Sequence, residues 1–150
     1  PWHDGESWLC RFHHLTTDAL KTFGVETASV LCGEEEKYGP FLCFLHHTAG
    51  DLRIGKHKVV GSAQRRPHGA TLQHGSILLK QSEWTTQLPG ISDLSNRSLS
   101  IAEVRDAILS ELIRNTEWAL EPQDWTAKEI EITKHLIETK YATQEWNEKR

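Results

Sequence analysis

The stretch Lys58-Val59-Val60-Gly61-Ser62-Ala63-Gln64-Arg65-Arg66, with Gln73-His74-Gly75-Ser76-Ile77-Leu78-Leu79 shortly after it, decides how this chain is read. The β-branched pair Val59-Val60 sits in a run, His57 to Ala63, that predicts a strand. Gly61, Ser62 and Ala63 are three small residues in succession inside it. That pattern marks either a β-bulge or a place where a ligand approaches the backbone closely. Ala70 to Leu72 and Ser76 to Lys80 predict the next strand, interrupted near Gly75. Arg66-Pro67-His68-Gly69 reads as the hairpin loop between the two. On the upstream side, Asp51 to Ile54 predicts another strand, meeting the first at Gly55.

Further out, residues 6 to 23 read as an amphipathic helix, with Trp8, Phe12, Leu15, Ala19 and Phe23 on one face and Gly24 as its stop. Thr27 to Leu31 is a short β-prone run. Gly33 to Pro40 is a loop carrying Glu34-Glu35-Glu36 and a Gly-Pro break. Phe41 to Leu45 is assigned to a strand on its aromatic and apolar content. Downstream, Ser100-Ile-Ala-Glu103 is a capping box, and the helix it opens should bury Ile101, Val104, Ile108, Leu112 and Ile113. Glu117 to Leu120 is a short strand candidate. Thr126-Ala-Lys-Glu129 is a second capping box, opening a helix to about Lys140 with Ile130 and Ile137 inward. Strands packed with segregated helices predict an α+β layer fold, a mixed or antiparallel sheet flanked by helices.

A chain of 150 residues is one domain's worth, so residues 1–150 are expected to form a single domain. A net charge of -4 gives no nucleic-acid footprint. No apolar run approaches the roughly 20 residues of a membrane helix, and the N-terminus lacks the pattern of a signal peptide. Three cysteines without a CxxC pair argue against a disulfide framework and for a reducing, cytoplasmic setting. Cys10, His13, His14 and His3 form one loose cluster of metal-ligating types, and His46-His47 another. Neither has a partner set of structural-zinc spacing, so no metal is expected. The chain begins at Pro1 and contains no methionine, which reads as a piece of a longer protein.

The quoted stretches resemble the core motif of the lipoate–protein ligase and octanoyltransferase family. The resemblance covers most of the chain and is densest over residues 41–79. Phe41-Leu42-Cys43-Phe44 is similar to the cysteine segment of the M-type octanoyltransferases. Lys140-Tyr141-Ala142-Thr143 with Glu145-Trp146-Asn147 resembles the ending of many family members. The resemblance implies the fold shared by biotin protein ligases and class II aminoacyl-tRNA synthetases. Nothing here matches the Arg-Arg-x-Thr-Gly-Gly-type segment of the family's N-terminal half, so the chain is expected to be the C-terminal part of a longer domain.

On this resemblance Lys58 is the essential lysine, hydrogen-bonding a thioester carbonyl oxygen as negative charge develops on it. Read from residues alone it is a surface strand lysine, since Lys56 lies two positions away. Cys43 is implied to be the acyl-carrying nucleophile, its thiolate favoured by nearby Lys58. From residues alone a buried core cysteine alternating with Phe41 and Leu45 fits as well. Gly61, Ser62 and Ala63 are implied to approach the acyl chain. Gln64, Arg65 and Arg66 are implied to guide a phosphopantetheine arm or an acidic carrier protein. For Arg66 a solvated strand end reads equally well. His74, Gly75 and Ser76 are implied to lie near the acyl pocket, with His74 in a binding role.

The activity implied is transfer of an octanoyl or lipoyl group from acyl carrier protein, through a Cys43 thioester, to the lysine of a lipoyl domain. Acceptors of that kind are the glycine cleavage H protein and the E2 subunit of a 2-oxoacid dehydrogenase. No cofactor is required beyond the acyl-phosphopantetheine thioester of the donor, and no nucleic acid or membrane is involved. Three alternatives stay open. One is an ATP- and Mg-dependent lipoate–protein ligase acting through lipoyl-AMP, which needs no cysteine at position 43. Another is an amidotransferase moving the acyl group between carrier proteins. The last is a non-catalytic half that binds carrier protein.

Overall fold

The computed structural model describes residues 7–38, 42–66 and 69–149. His3, Glu6, Gly39-Pro40-Phe41 and Pro67-His68 lie outside them, with the expectations placed there. Gly55 turns the chain between β2 (Leu52–Ile54) and β3 (His57–Arg65) at φ +58°, a left-handed conformation that glycine adopts without a Cβ clash. With β1 (Ala28–Ser29) and β4 (Leu72–Ile77) these strands form an antiparallel sheet of spatial order β1-β2-β3-β4 among the described residues.

The β2–β3 ladder is irregular where it matters most. Leu52 pairs with Val60, yet Arg53 pairs with Lys58, which leaves Val59 as an extra residue. Such a bulge re-aims the side chains on either side of it. Val59, Val60 and Gly61 are buried in succession, which a regular pleat would not allow. The sequence pointed to a bulge at the Gly61 run, and the structure sets it two residues earlier.

β4 runs unbroken through Gly75, contrary to the interruption expected there. Gly75 pairs with Ser62, and a Cβ on it would stand 2.4 Å from the Gly61 carbonyl oxygen and 2.7 Å from Ser62 Cβ. The glycine admits a close strand approach; it does not break the strand.

Helix α1 (Trp8–Lys21) starts at Ser7, whose hydroxyl accepts the Cys10 N–H, and gives way to Gly24 at φ +72°. Its inner face buries His13, Leu15, Thr16, Ala19 and Leu20. Leu20 joins Val25, Leu52, Val59, Val60, Ile91 and Val104 in one core. Ile91 opens the short helix α2 (Ile91–Ser95). Helix α3 (Ile101–Thr116), with the expected Ser100–Glu103 capping box, packs on α1. Its packed stripe is Val104, Ile108, Glu111 and Leu112. Ile101, expected inside, is 79% exposed because it lies one turn beyond that stripe at the helix start, and Ile113 is also exposed.

Two further expectations are corrected. The strand assigned to 41–45 is, over Cys43–Leu45, a single 3-10 turn. Its backbone bonds stay local, Leu45 N–H to Leu42 O and His46 N–H to Cys43 O, so it has no cross-strand ladder. Glu117 to Leu120 forms no strand, because Glu117 takes a left-handed conformation at φ +57° to end α3.

The chain divides into two compact units after Trp118. The second contains α4 (Ala127–Leu136), with the expected Thr126–Glu129 capping box, a π-helical turn at Ile137–Tyr141, and α5 (Gln144–Asn147). Ile130 and Ile137, expected inward, are 45% and 49% exposed, since so small a unit buries little surface. The terminal motif is self-contained. Tyr141 and Trp146 meet edge to face at 5.2 Å, Lys140 lies over both rings, and Asn147 donates to the Tyr141 and Thr143 carbonyls.

Candidate functional site

The bulge at Val59 carries Lys58 inward, so the surface-lysine reading does not hold: its side chain is 8% exposed. Lys58 Nζ lies 2.7 Å from Asp51 Oδ2 and 3.1 Å from the His46 carbonyl oxygen. Asp51 is itself 3% exposed, and its Oδ2 also accepts from the Thr48 N–H and hydroxyl. A buried carboxylate with this many donors is fixed in place, and it fixes the ammonium in turn. The ammonium also stands 4.9 Å from the centroid of the Phe44 ring, the residue that follows Cys43. Gly61 makes this placement possible. A Cβ there would sit 2.3 Å from Lys58 Cε and 2.8 Å from Nζ. An ammonium has three N–H groups. Asp51 and His46 take two and leave one to donate to an oxygen that gains charge.

Cys43 is exposed and free, in the turn that the His46 carbonyl closes onto Lys58. The core-cysteine reading therefore fails: neither the strand nor the burial it needs is present.

On the other side of Gly61 lies a network that the sequence did not announce. His13, on α1 and 1% exposed, places Nδ1 2.5 Å from the Gly50 carbonyl and Nε2 2.7 Å from Ser62 Oγ. A carbonyl only accepts, so Nδ1 carries the proton, and Nε2 of the neutral ring accepts the Ser62 hydroxyl. Burial holds the His13 pKa below its ordinary value, against the Gly50 hydrogen bond and the Asp51 charge, which favour protonation. Lys58 and His14 act in the same direction as burial. Ser62 Oγ in turn accepts from Gln73 Nε2 at 3.1 Å, and Gln73 Oε1 accepts from Gln64 Nε2 at 2.8 Å. Register explains the chain: Gln64 pairs with Gln73 and Ser62 with Gly75, which puts all four on one pleat.

Five of the expected site residues, Gly61, Ser62, His74, Gly75 and Ser76, border one cavity of about 260 Å³, which Phe12, His13, Val60, Gln73, Ile77 and Ile108 complete. Lys58 borders a second cavity of about 260 Å³ with Tyr38, Phe44, Leu45 and His47 among its walls. His74 pairs with Ala63, so alternation gives its side chain the pleat opposite to Ser62. Ala63 and Arg66 are exposed, Arg66 just past the end of β3, and neither borders the cavities. Gln64 enters only through Gln73.

His13, Asp51 and Gln73 are the residues that sequence reasoning missed. In the sequence His13 stands out only as a metal-ligating type, and both of its ring nitrogens are engaged elsewhere. His46 Nδ1 accepts the Tyr38 N–H, and His47 is buried beside Glu36 and Tyr38. Among the described residues no group of three or more His, Cys, Asp or Glu is placed to hold a metal ion. No helix among them is long and apolar enough to cross a membrane.

Comparison with known proteins bears on this arrangement. Residues 10–82 match the model of the biotin/lipoate A/B protein ligase family. The chain is similar to octanoyltransferase LipM of Brevibacillus brevis, 31% identical over 141 residues, covering 78% of this chain and 51% of that protein. Octanoyltransferase LipM of Bacillus subtilis is 32% identical over 130 residues, covering 73% of this chain and 47% of that one. The chain thus spans about half the length of these curated relatives. A solved lipoate-protein ligase A bound with ATP superposes with a TM-score of 0.71 at 20% identity, over 98% of this chain and 60% of that one. A bi-partite lipoate protein ligase from Thermoplasma acidophilum, solved in a study that included its E2 lipoyl domain, gives 0.65 at 20%, over 93% and 56%. At these identities the two structures establish the shared fold.

Proposed function

We propose that this chain, whose residues 10–82 match the biotin/lipoate A/B protein ligase family, takes part in octanoyl or lipoyl transfer with Cys43 as the acyl carrier. The reading rests on one observation. The Lys58 ammonium is buried, held by Asp51, and tied through the His46 carbonyl and the Phe44 ring to the turn that bears the exposed Cys43.

In the first half-reaction the Cys43 thiolate attacks the carbonyl carbon of an acyl-phosphopantetheine thioester on acyl carrier protein. A new C–S bond forms and the pair of the C=O bond moves onto oxygen, where the third Lys58 N–H receives it. Collapse expels the phosphopantetheine thiolate, which takes up a proton. Thioester is exchanged for thioester, so ATP is not consumed. In the second half-reaction the neutral ε-amine of a lipoyl-domain lysine attacks the Cys43 thioester. The C–N bond forms, the C–S bond breaks, and the Cys43 sulfur leaves with the proton that the attacking nitrogen sheds. Gly61, Ser62, Gly75 and Ser76 offer the acyl chain a wall of small residues, and Arg66 at the exposed end of β3 suits an acidic carrier protein. The LipM relatives support the acyl group, and the Thermoplasma ligase studied with its E2 lipoyl domain supports the acceptor class.

The test is an ATP-free transfer assay with octanoyl-acyl carrier protein and a lipoyl domain, read as acceptor mass. Octanoylation without nucleotide is expected, and Lys58→Met should lower it roughly a hundredfold or more, as loss of an oxyanion donor does. Acceptor modification only when free lipoate and ATP are added would replace this reading with a ligase.

A further inference from the structure

The transfer step just described needs a neutral lysine amine, yet a free lysine is almost wholly protonated near neutral pH. Something must take its proton, and the residues assigned so far do not. The Lys58 ammonium has none to accept, and Asp51 is already committed to Lys58 and Thr48.

The hydrogen bonds around Ser62 have a direction. A serine hydroxyl has one proton and two lone pairs. The proton goes to His13 Nε2, and Gln73 occupies one lone pair. The other lone pair stays open, on a half-buried residue that borders the cavity beside Gly61. Behind Ser62 stands a buried imidazole whose tautomer is fixed by the Gly50 carbonyl, so its accepting nitrogen always faces the serine. We propose that Ser62 and His13 form a proton relay that deprotonates the incoming lysine: the ammonium gives a proton to Ser62 Oγ as Ser62 passes its own to His13 Nε2.

The balance closes. The lysine nitrogen gains the lone pair it uses to attack the Cys43 thioester, Ser62 ends as it began, and His13 becomes an imidazolium. As the C–S bond breaks, the nitrogen of the adduct sheds its second proton to the departing Cys43 sulfur, and His13 returns the first proton to solvent, which resets the ring. The groups around His13 suit a base that is neutral at rest and charged only transiently. Asp51, at the entry to β2, stabilises the imidazolium, while Lys58 on β3 and His14 on α1 keep the resting ring neutral. α3 presents the apolar Ile108 to the cavity, and β4 contributes His74. Ser62 is the catalytic residue here and His13 acts through it. Gln64 and Gln73 are positioning residues that keep the hydroxyl turned toward His13.

The inference rests on Cys43 being the acyl carrier, so its test starts from acyl-enzyme. Parent, Ser62→Ala, His13→Gln and Ser62→Thr proteins, in the form that carries acyl on Cys43, are mixed with a lipoyl domain and, separately, with hydroxylamine. Hydroxylamine is already neutral at pH 7 and needs no proton removed before it attacks. The relay predicts that the ratio of lysine transfer to hydroxylamine release falls roughly a hundredfold in Ser62→Ala and His13→Gln. Ser62→Thr, which keeps the hydroxyl, should restore most of it. In the parent, lysine transfer should be nearly flat with pH above the His13 range. In His13→Gln it should climb about tenfold per pH unit toward the lysine pKa of about 10.4. A structural role would slow both acceptors alike and leave the pH profile unchanged, and either result overturns the relay while the acyl-transfer reading stands. A parent that never loads Cys43 overturns both.

Discussion

Replacing Gly61 by alanine should uncouple the buried ion pair without touching either partner. The added Cβ would lie 2.3 Å from Lys58 Cε, 2.8 Å from Nζ and 3.2 Å from Asp51 Oδ1. Carbon atoms in contact sit about 3.5–4.0 Å apart, so Lys58 must retreat by more than about 1 Å. The retreat breaks the 2.7 Å contact with Asp51 and leaves a carboxylate that is 3% exposed without its counter-charge. Losing one partner of a buried pair costs about 3–5 kcal/mol. Asp51 keeps its two Thr48 donors, which places the loss near the lower end, about 3 kcal/mol. For a chain of this length that is a fall in Tm of about 10 °C. Thermal unfolding followed by circular dichroism measures it, with Lys58→Ala and the double variant completing a cycle. In the Lys58→Ala background the alanine meets neither Cε nor Nζ, and the Gly61 backbone does not require glycine's left-handed region. There the same substitution should be neutral, or stabilising by a few tenths of a kcal/mol. If Gly61→Ala costs as much without Lys58 as with it, the glycine is not there to admit the lysine and the reasoning fails.

Gly75→Ala should behave differently, because its Cβ would meet the Gly61 carbonyl at 2.4 Å and Ser62 Cα at 2.9 Å, backbone that cannot swing aside. A loss of about 2–3 kcal/mol in denaturant unfolding is expected in the parent and Lys58→Ala backgrounds alike, and dependence on Lys58 would contradict it. His13 should give stability a dependence on pH. Its folded pKa lies below the ordinary 6.5 because burial penalises the charged ring, so the unfolded chain takes up the proton first. Stability from this group is complete above about pH 6.5 and falls as pH drops through the window beneath it. His13→Gln should flatten that segment of a stability–pH curve, and an unaltered slope would show that His13 is not its source.

The sheet was legible where backbone chemistry is written in residue types. Gly55 marked the β2–β3 turn, and Ser100–Glu103 and Thr126–Glu129 marked two helix starts, because a cap or a left-handed turn needs particular side chains. Cys43 and Lys58 were singled out through resemblance, since their spacing is linear in the chain. His13, Asp51 and Gln73 were not, because their roles come from pairings across 49 positions to Ser62, from the bulge at Val59, and from strand register. Gly75 misled because a lone glycine in a strand signals a break and a close approach equally. The short 41–45 run misled because five residues carry too little periodicity to tell a strand from a turn. Ile101, Ile130 and Ile137 follow a helical period, but period alone does not say where the partner surface ends.

The central claim is that Cys43 carries the acyl group. The direct measurement is peptide-level mass spectrometry of the protein after incubation with octanoyl-acyl carrier protein in the absence of ATP, beside a Cys43→Ala variant. The account predicts an octanoyl group on the peptide containing Cys43, discharged by a lipoyl domain and missing from the variant. An octanoyl group on Cys10 or Cys32 instead, or an acceptor octanoylated equally well by Cys43→Ala, would contradict it.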